Sequence, residues 1–243
     1  QEGLLQENIK KAFQIIEECN LCPRSCGAKR LKGERGYCQA GLLPEVSSYS
    51  PHFGEESPLV GYHGSGTIFL THCSLRCLFC QNYSISHLGE GQEVSFEMMA
   101  RMMVELQKLG CHNINFVTPT HYVPQILRAL CFAVEKGLSV PLVYNSGGYD
   151  SVETLKLLEG VFDIYMPDFK YADADMAKKY SNVESYPEVA SAAFREMHRQ
   201  VGDLVTDRRG VARSGLLVRH LVLPNDLAGT AEVVRFLAEL SED

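Results

Sequence analysis

The segment THCSLRCLFCQN, residues 71–82, holds the densest grouping of metal-binding side chains, the three-cysteine set Cys73, Cys77 and Cys80. A structural zinc site takes four protein ligands, whereas a cubane iron–sulfur cluster held at three irons keeps its fourth iron open. The x3 and x2 spacings let one tight loop wrap three corners of a cubane, with Leu78 and Phe79 shielding it from solvent. The spacing therefore predicts a [4Fe–4S] cluster with one open iron.

Two other interpretations of these cysteines are open. One is a zinc site completed by His72 or His87, and the other is three cysteines without a ligand. Zinc-binding pairs usually occur as two short C-x2-C units well apart. The single run of three therefore favours the cluster.

A second grouping, the four-cysteine set, lies near the N-terminus: Cys19, Cys22, Cys26 and Cys38. Four thiolates hold either a structural zinc ion or a second, fully ligated iron–sulfur cluster, and the sequence does not separate the two. The chain has nine cysteines, an odd number that fits a disulfide framework poorly. We expect an auxiliary metal centre that organises residues 19–40.

The elements that must position these residues alternate after residue 60. Short apolar runs rich in β-branched and aromatic residues predict strands at 67–71, 114–118, 140–144, 163–166 and 216–223. Helices are expected between them, one starting after Ser95 and closed by Gly110, another capped by Asp150, with further helices at 4–18 and 228–240. Five βα units are visible, which predicts an α/β fold with a parallel barrel or a doubly wound sheet.

Polar residues concentrate where the predicted strands end. They include the three-cysteine set, the segment 118–121, the segment 145–148, Asp168 with Lys170, and Arg219 with His220. The carboxyl ends of parallel strands meet at one rim, and ligands bind there in both candidate folds. Residues 1–60 read as a cysteine-rich metal-binding extension and 61–243 as the main α/β domain.

Composition excludes several functional classes. The formal net charge is -7, and no cluster of Lys and Arg marks a phosphate-tracking surface, so we expect no nucleic-acid partner. No apolar run reaches the 18 or more residues that a membrane span requires, so we expect no membrane partner. A soluble, cytoplasmic protein is the resulting expectation.

The motifs resemble those of a known family. Cys73-x3-Cys77-x2-Cys80 after the first βα strand resembles the radical SAM superfamily. Stretches across nearly the whole chain resemble the PflX-type homologues of pyruvate formate-lyase activating enzyme: LCPRSCGAKRLKGERGYC, PHFGEESPLVGYHGSGTIFLTHCSLRCLFCQN, NINFVTPTHYVPQIL, PLVYNSGGYDSVETLKLLEG, DIYMPDFKYAD and GLLVRHLVLP. The resemblance implies a partial (β/α)6 TIM-like barrel. It also implies a [4Fe–4S] cluster whose open iron binds S-adenosylmethionine (SAM), and reductive cleavage of SAM to methionine and a 5′-deoxyadenosyl radical.

The resemblance also implies cofactor contacts. Thr118 and Thr120 stand where activating enzymes carry a Gly-Gly-Glu segment that meets the methionine amino group, although no Gly-Gly-Glu is present here. Asn145 and Ser146 stand at the contacts to the ribose and to a monovalent cation. Leu221 stands at an adenine contact, and Phe79, within the three-cysteine loop, is also predicted to be a cofactor-binding residue.

A further set of implied contacts is charged. Asp168 is expected to face the cation or cofactor, while Lys170 and Arg219 approach the carboxylate of SAM. Alternation along a strand puts Asp168 and Lys170 on one face and turns Phe169 outward. The alternative is a salt bridge between Asp168 and Lys170 that only closes the rim.

The implied activity is hydrogen abstraction from a protein or small-molecule substrate, as in the activases of glycyl-radical enzymes. Expected partners are a reductant such as flavodoxin or ferredoxin, and a glycyl-radical enzyme or peptide. Glycyl-radical activases carry extra clusters in an insertion after the third cysteine, and this chain has none there. The alternatives are a peptide- or small-molecule-modifying radical SAM enzyme with an auxiliary cluster, and a non-catalytic binding module organised by zinc. No catalytic residue is assigned.

Overall fold

A mixed eight-stranded sheet forms the centre of the protein, as seen in a computed structural model that describes residues 2–242. The strands are β1 Glu45–His52, β2 Ser65–Leu70, β3 Gln92–Glu93, β4 Ile114–Val117, β5 Leu142–Ser146, β6 Ile164–Pro167, β7 Val205–Thr206 and β8 Ala212–Leu216. Their order across the sheet is β3-β1-β2-β4-β5-β6-β8-β7. The five central strands are parallel, and β1, β3 and β7 pair antiparallel at the edges.

Four of the five parallel strands lie within two residues of the bounds expected from the βα pattern. This arrangement confirms an α/β fold and is consistent with a partial barrel. In parallel sheets covered by helices, strands are apolar on both faces, which is why the short β-branched runs identified them. Among residues 2–242 five parallel strands are present, whereas the expectation was six.

The prediction for the fifth strand was wrong. The strand is β8, which ends at Leu216, and the predicted segment 217–223 runs beyond it. The neighbouring β6 ends at Pro167, which has no N–H to donate to the ladder. Backbone bonds continue only as far as a single bridge between Asp168 and Arg219, where Arg219 N–H donates to Pro167 O at 3.0 Å and Phe169 N–H donates to Arg219 O at 2.8 Å. The segment is therefore extended but is not a continuous strand, and it carries Arg219 to the end of β6.

Helices follow the strands as expected. They are α1 Glu2–Ile15, α2 Ser57–Val60, α3 Tyr83–Ser86, α4 Phe96–Lys108, α5 Val123–Glu135, α6 Val152–Lys156, α7 Ala174–Ser181, α8 Tyr186–Val201 and α9 Thr230–Leu240. Ser95 caps α4 as predicted, because its Oγ accepts the Met98 N–H at 3.1 Å. Asp150 does not cap α6, which begins after Ser151. Its carboxylate is buried and accepts hydroxyl protons instead.

Side chains alternate between the two faces of the sheet, and the faces have different partners. Ile68, Phe116 and Tyr144 face the helices and join the largest core cluster. Val143, Ile164 and Met166 face the other way and form a smaller cluster with Leu59 and Ala212. This inner cluster fills the space beneath the carboxyl ends of the strands, so the space above it is where a ligand fits.

The N-terminal segment is packed into the same structure. Strand β1 pairs with β2, and Ile16, Leu21 and Val46 belong to the largest core cluster. The division of the chain at residue 60 stays a prediction, and the structure adds that the sheet and the core both cross it. Within residues 2–242, no helix is long and apolar enough to span a bilayer.

Candidate active site

A cavity of about 730 Å³ opens at the carboxyl ends of the parallel strands. That volume lies in the range of small-molecule and cofactor sites. The cavity is lined by the three-cysteine set and by eight of the nine predicted cofactor residues: Phe79, Thr118, Asn145, Ser146, Asp168, Lys170, Arg219 and Leu221. The structure thus brings together loops that follow β2, β4, β5, β6 and β8. The cofactor roles of these residues stay predictions.

Each sulfur of the three-cysteine set accepts a hydrogen bond from the protein. The Cys73 Sγ accepts the Leu75 N–H at 3.3 Å. The Ser181 hydroxyl donates to Cys77 Sγ at 2.9 Å, and the Ser86 hydroxyl donates to Cys80 Sγ at 3.2 Å. Such bonds stabilise negative charge on sulfur and tune iron–sulfur clusters. These donors would therefore stabilise the thiolates once a metal is bound.

Burial raises the pKa of the Cys73 thiol to about 11, and the neighbouring Cys77 adds to the shift. At neutral pH this thiol is protonated when no metal is bound. Because metals bind the thiolate, metal binding here must displace a proton.

The loop that carries these thiols is held in an uncommon backbone conformation. His72 and Arg76 both have left-handed φ angles, 66° and 55°. The loop is fixed by backbone bonds from His72 N–H to Ile85 and from Leu78 N–H to Tyr180, at 2.9 and 2.8 Å. Non-glycine residues persist in this region only where surrounding contacts hold them, and such positions cluster at functional sites.

The expectation that Leu78 and Phe79 both shield the cluster is half right. Leu78 is 69% exposed and points to solvent, because its backbone bond to Tyr180 turns it away from the cavity. Phe79 lines the cavity and packs against Tyr171 at a centroid distance of 6.1 Å.

A charged network crosses the cavity wall above the inner core. The Lys170 Nζ donates to Asp168 Oδ2 at 2.7 Å, and the Arg219 Nε donates to Asp168 Oδ1 at 2.8 Å. The Arg219 Nη2 also donates to Asn145 Oδ1 at 2.7 Å. Phe169 turns to the helices, where it meets Phe194 at 5.1 Å, so the predicted alternation is confirmed. The salt bridge of the alternative interpretation is present, and both of its members line the cavity.

The network keeps its members charged. Burial alone would raise the pKa of Asp168, but Lys170 and Arg219 together hold it below its usual value. Burial alone would lower the pKa of Lys170, and the Asp168 carboxylate more than offsets this and raises it. A buried ion is tolerable when such partners surround it.

Two glutamates near Arg219 were not found by sequence analysis. The Arg219 Nη1 lies 3.6 Å from Glu55 Oε2 and 3.9 Å from Glu56 Oε1. Burial raises the pKa of the Glu55 carboxyl, although Arg219 acts in the opposite direction. They follow β1 in a loop with no pattern of its own, so only the pairing of β1 with β2 brings them here.

Thr118 and Thr120 were predicted together and are separated by the structure. Thr118 lines the cavity with a left-handed φ of 62°, and its N–H donates to Asn145 O at 2.8 Å. Thr120 is buried away from the cavity, where its hydroxyl donates to Asp150 Oδ1 at 2.6 Å. The left-handed turn at Thr118 redirects the chain, so the next residues face the core.

Asp150 is a further residue that the sequence did not identify as part of the site. Its carboxylate accepts the hydroxyls of Thr120, Tyr144 and Ser146, the last at 2.6 Å. Burial raises its pKa, and the three hydroxyls partly offset the shift. The Ser146 hydroxyl donates to Asp150, so its oxygen acts as an acceptor, and it takes the Gly148 N–H at 3.2 Å.

The four-cysteine set lies apart from the cavity but is itself compact. Burial raises the pKa of Cys22 to about 12, and the thiols of Cys38, Cys19 and Cys26 each add to the shift. A Cβ at Gly36 would collide with Cys26 Sγ, so a glycine is required there. The seven cysteines of the two sets form no disulfide within residues 2–242. In that same part of the chain no three His, Cys, Asp or Glu side chains converge to hold a single metal ion.

The donor set of the cavity fits a [4Fe–4S] cluster with an open iron. A cubane presents its irons at separate corners, so three thiolates on one loop need not converge on a point. Three thiols with a donor at each sulfur, beside a cavity with room for a further ligand, match this requirement. The four-cysteine centre stays a prediction.

Comparison with known proteins gives relatives without an assigned activity. One uncharacterised protein of Methanocaldococcus jannaschii is 32% identical over 236 residues, which cover 93% of this chain and 62% of the relative. A second uncharacterised protein of that organism is 29% identical over 177 residues, 66% of this chain and 51% of the relative. The chain thus spans less than two thirds of the length of either.

A family comparison is more informative. Residues 67–209 match the radical SAM superfamily, and the match runs from β2 through the three-cysteine set to β7. Membership implies a [4Fe–4S] cluster and SAM, for which the cavity supplies three thiols and a charged wall. The chain belongs to the radical SAM superfamily.

Proposed function

We propose that this protein is a radical SAM enzyme of the activating type, which abstracts a hydrogen atom from a peptide or glycyl-radical protein. The observation that carries the proposal is the cavity itself, where the three-cysteine set faces the network of Asp168, Lys170 and Arg219. When bound, the reduced cluster and SAM supply methionine and a 5′-deoxyadenosyl radical.

The chain's own residues position the cofactor and exclude water. Cys73, Cys77 and Cys80 would hold the cluster, and the hydroxyls of Ser181 and Ser86 donate to the sulfurs of Cys77 and Cys80. Phe79 covers one side of the cavity. A dry site protects a reactive intermediate from side reactions and leaves the hard chemistry to the cofactor.

The charged wall recognises the zwitterionic end of SAM. Lys170 and Arg219 both contact Asp168, and each has N–H groups left for a carboxylate. The acceptors Ser146 and Asn145 stand at the end of β5, within reach of a ribose hydroxyl or a cation. Glu55 and Glu56 offset the charge of Arg219, so the SAM carboxylate is assigned to the Lys170 side of this wall.

The activating-type substrate is supported by the motifs that run through nearly the whole chain, from the N-terminal cysteines to 215–224. Gln81 and Asn82 lead directly into α3, so the insertion that carries extra clusters in other activases is missing. A reductant of the flavodoxin or ferredoxin type is part of the proposal.

A second candidate is a peptide- or small-molecule-modifying enzyme with an auxiliary cluster. The observation that favours it is the tight fold of the four-cysteine segment, where Cys19 N–H donates to Ala28 O at 3.1 Å and Gly27 N–H donates to Cys19 O at 2.9 Å. A zinc-organised binding module is disfavoured by membership in the superfamily.

The test is anaerobic reconstitution followed by chemical reduction with SAM. We expect iron and labile sulfide in stoichiometric amounts, and one 5′-deoxyadenosine for each SAM cleaved. A peptide with a glycyl-radical-type loop, deuterated at its glycine α-carbon, should pass deuterium to the 5′-deoxyadenosine. Zinc without labile sulfide would overturn the proposal that the protein is a radical SAM enzyme. SAM cleavage in which label is transferred only from a different substrate would select the second candidate function.

A further inference from the structure

Arg24 belongs to the N-terminal cysteine segment but makes its contacts elsewhere. It lies between Cys22 and Cys26, and its guanidinium donates to the backbone carbonyls of Ser74 and Leu75, the latter at 3.4 Å. Both carbonyls belong to the loop that carries the three-cysteine set. One side chain therefore connects the two cysteine sets.

The same guanidinium also reaches a helix end. It donates to Ser181 O at 3.0 Å and to Asn182 O at 3.3 Å. The last carbonyls of a helix lack partners within it, and a cation at this end is favoured by the helix dipole. Arg24 thus satisfies orphan carbonyls at the end of α7 while holding the loop.

The end of α7 in turn grips the loop directly. The Ser181 hydroxyl donates to Cys77 Sγ, and Leu78 N–H donates to Tyr180 O. The loop is therefore held in two ways, directly by Arg24 and by the end of α7. Because Arg24 also binds the end of α7, its guanidinium contributes to both. Movement of Arg24 would shift both.

The guanidinium is itself held by the four-cysteine segment. Its carbon lies 3.5 Å from the centre of the Tyr37 ring, a cation–π contact, and Tyr37 precedes Cys38. The backbone N–H of Arg24 also donates a hydrogen bond to the Cys22 sulfur. Arg24 is therefore fixed at its backbone by one cysteine of the set and at its side chain by the neighbour of another.

We propose that Arg24 is a positioning residue for the iron–sulfur loop, through which order in the four-cysteine segment sets the geometry of Cys73, Cys77 and Cys80. This rests on the proposed function in so far as those three cysteines hold a cluster. Arginine suits the role because its planar fork offers five N–H donors in fixed directions, whereas lysine offers a single flexible ammonium.

The first test compares Arg24→Ala, Arg24→Lys and, as the matched control, Lys29→Ala, which changes an exposed cation of the same segment. Amide hydrogen exchange in residues 73–80 is measured on the protein without added cluster, so the result does not depend on the proposed function. We expect exchange roughly tenfold faster in Arg24→Ala, an intermediate effect in Arg24→Lys, and no change in Lys29→Ala. Equal exchange in Arg24→Ala and the wild type would overturn the inference.

The second test uses the reconstituted protein. Arg24→Ala should alter the electron paramagnetic resonance spectrum of the reduced cluster and release iron to a chelator roughly tenfold faster. The double variant Cys22→Ala/Cys26→Ala should produce the same changes, and adding Arg24→Ala to it should add little, because both act through one connection. Additive effects, or an unchanged spectrum in Arg24→Ala, would contradict the inference. A wild-type protein that takes up no cluster would instead contradict the proposed function and leave the exchange result standing.

Discussion

The two cysteine sets differ in what surrounds their sulfurs. The three-cysteine set borders a cavity of about 730 Å³ and takes hydroxyl donors from Ser86 and Ser181. The four-cysteine set is mostly buried, with only Cys26 exposed, and the donors that act on Cys22 and Cys38 are the backbone N–H groups of Arg24 and Ala40. The three-cysteine set faces the large cavity, whereas the four-cysteine set borders only a smaller, more open pocket of about 370 Å³ at Cys19.

If both sets bind metal as proposed, this difference separates a reactive centre from an organising one. A metal centre with an open position needs an adjoining cavity, whereas a structural centre is closed by its own ligands. Burial raises the pKa in both sets, at Cys73 and at Cys22, so thiol pKa alone does not tell them apart. The surroundings of the sulfurs do.

The largest expected effect comes from removing one member of the reactive set. Cys77→Ala should abolish SAM cleavage, because two thiolates do not hold the cubane beside the cavity. Cys111→Ala, which removes a buried thiol outside both sets, should retain cleavage. Measurement of 5′-deoxyadenosine after anaerobic reconstitution checks both. Full cleavage in Cys77→Ala would remove the distinction drawn between the sets.

A smaller effect is expected from the charged wall that only the reactive set has. Lys170→Met should weaken SAM binding about tenfold to a hundredfold or more, since a charge-assisted contact contributes roughly 1.5 to 3 kcal/mol. Lys178→Met, which breaks an exposed ion pair with Glu184, is the matched control. Equilibrium titration with SAM measures the effect. If Lys170→Met bound SAM with wild-type affinity and only its thermal stability were reduced, Lys170 would have a structural role in the salt bridge and no role in SAM binding.

His121 offers a test at the junction of the two regions. Its ring donates to Thr71 O at 2.8 Å, just before the three-cysteine set, and its carbonyl accepts from Arg30 Nη1 at 2.9 Å, within the N-terminal segment. Burial lowers its pKa to about 3, although the bond to Thr71 acts in the opposite direction. Below the unfolded pKa of about 6.5 the unfolded chain binds a proton that the folded chain does not, so stability falls as pH falls.

Between pH 7.5 and pH 5 this group should remove about 2 kcal/mol from the free energy of unfolding. Over the same pH range, the free energy of unfolding of His121→Gln should fall by about 2 kcal/mol less than that of the wild type. Denaturant titration at the two pH values measures this difference. The His63→Gln protein, changed at an exposed histidine, should keep the wild-type loss. If the free energy of unfolding fell equally in the wild type and in His121→Gln, His121 would not be the group responsible for the loss.

The smallest expected effect concerns the hydroxyl donors. Ser181→Ala removes the hydrogen bond to Cys77 Sγ, and Ser86→Ala removes the one to Cys80 Sγ. Because such bonds stabilise the reduced, more negative cluster, its reduction potential should become more negative in each variant. A bond of about 1 kcal/mol corresponds to on the order of 40 mV for one electron. Ser191→Ala, which removes a hydroxyl bonded within α8, is the control. Unchanged potentials in both variants would mean that the donors do not distinguish the reactive set.

Much of the fold could be predicted because the parallel strands carry their own signal. Four strands are short β-branched runs, and Ser95 marks the start of α4. The failures have tertiary causes. Segment 217–223 has strand composition, but its neighbour offers no N–H at Pro167. Asp150 has the spacing of a helix cap, but three hydroxyls compete for its carboxylate.

The site was predictable where residues follow strand ends, which gave eight of the nine cofactor residues a place on the cavity. Thr120 lies off the cavity because the left-handed φ at Thr118 turns the chain inward, and Thr carries no sequence signal for that conformation. Arg24, Glu55 and Ser181 were missed because each acts on a distant segment. Ser181 is separated from Cys77 by 104 residues and Arg24 from Ser181 by 157 residues, and no local pattern records such pairings.

Those long separations bear on the order of events during biosynthesis. The loop 71–82 is fastened by the end of α7, so we expect it to stay loose on the ribosome until residue 182 has emerged and α7 has docked. Contacts between distant segments form late because loop closure must come first. Cluster loading should therefore follow the docking of α7 and not the synthesis of the cysteines. A refolding time course that records iron uptake beside amide protection in α7 should show protection first.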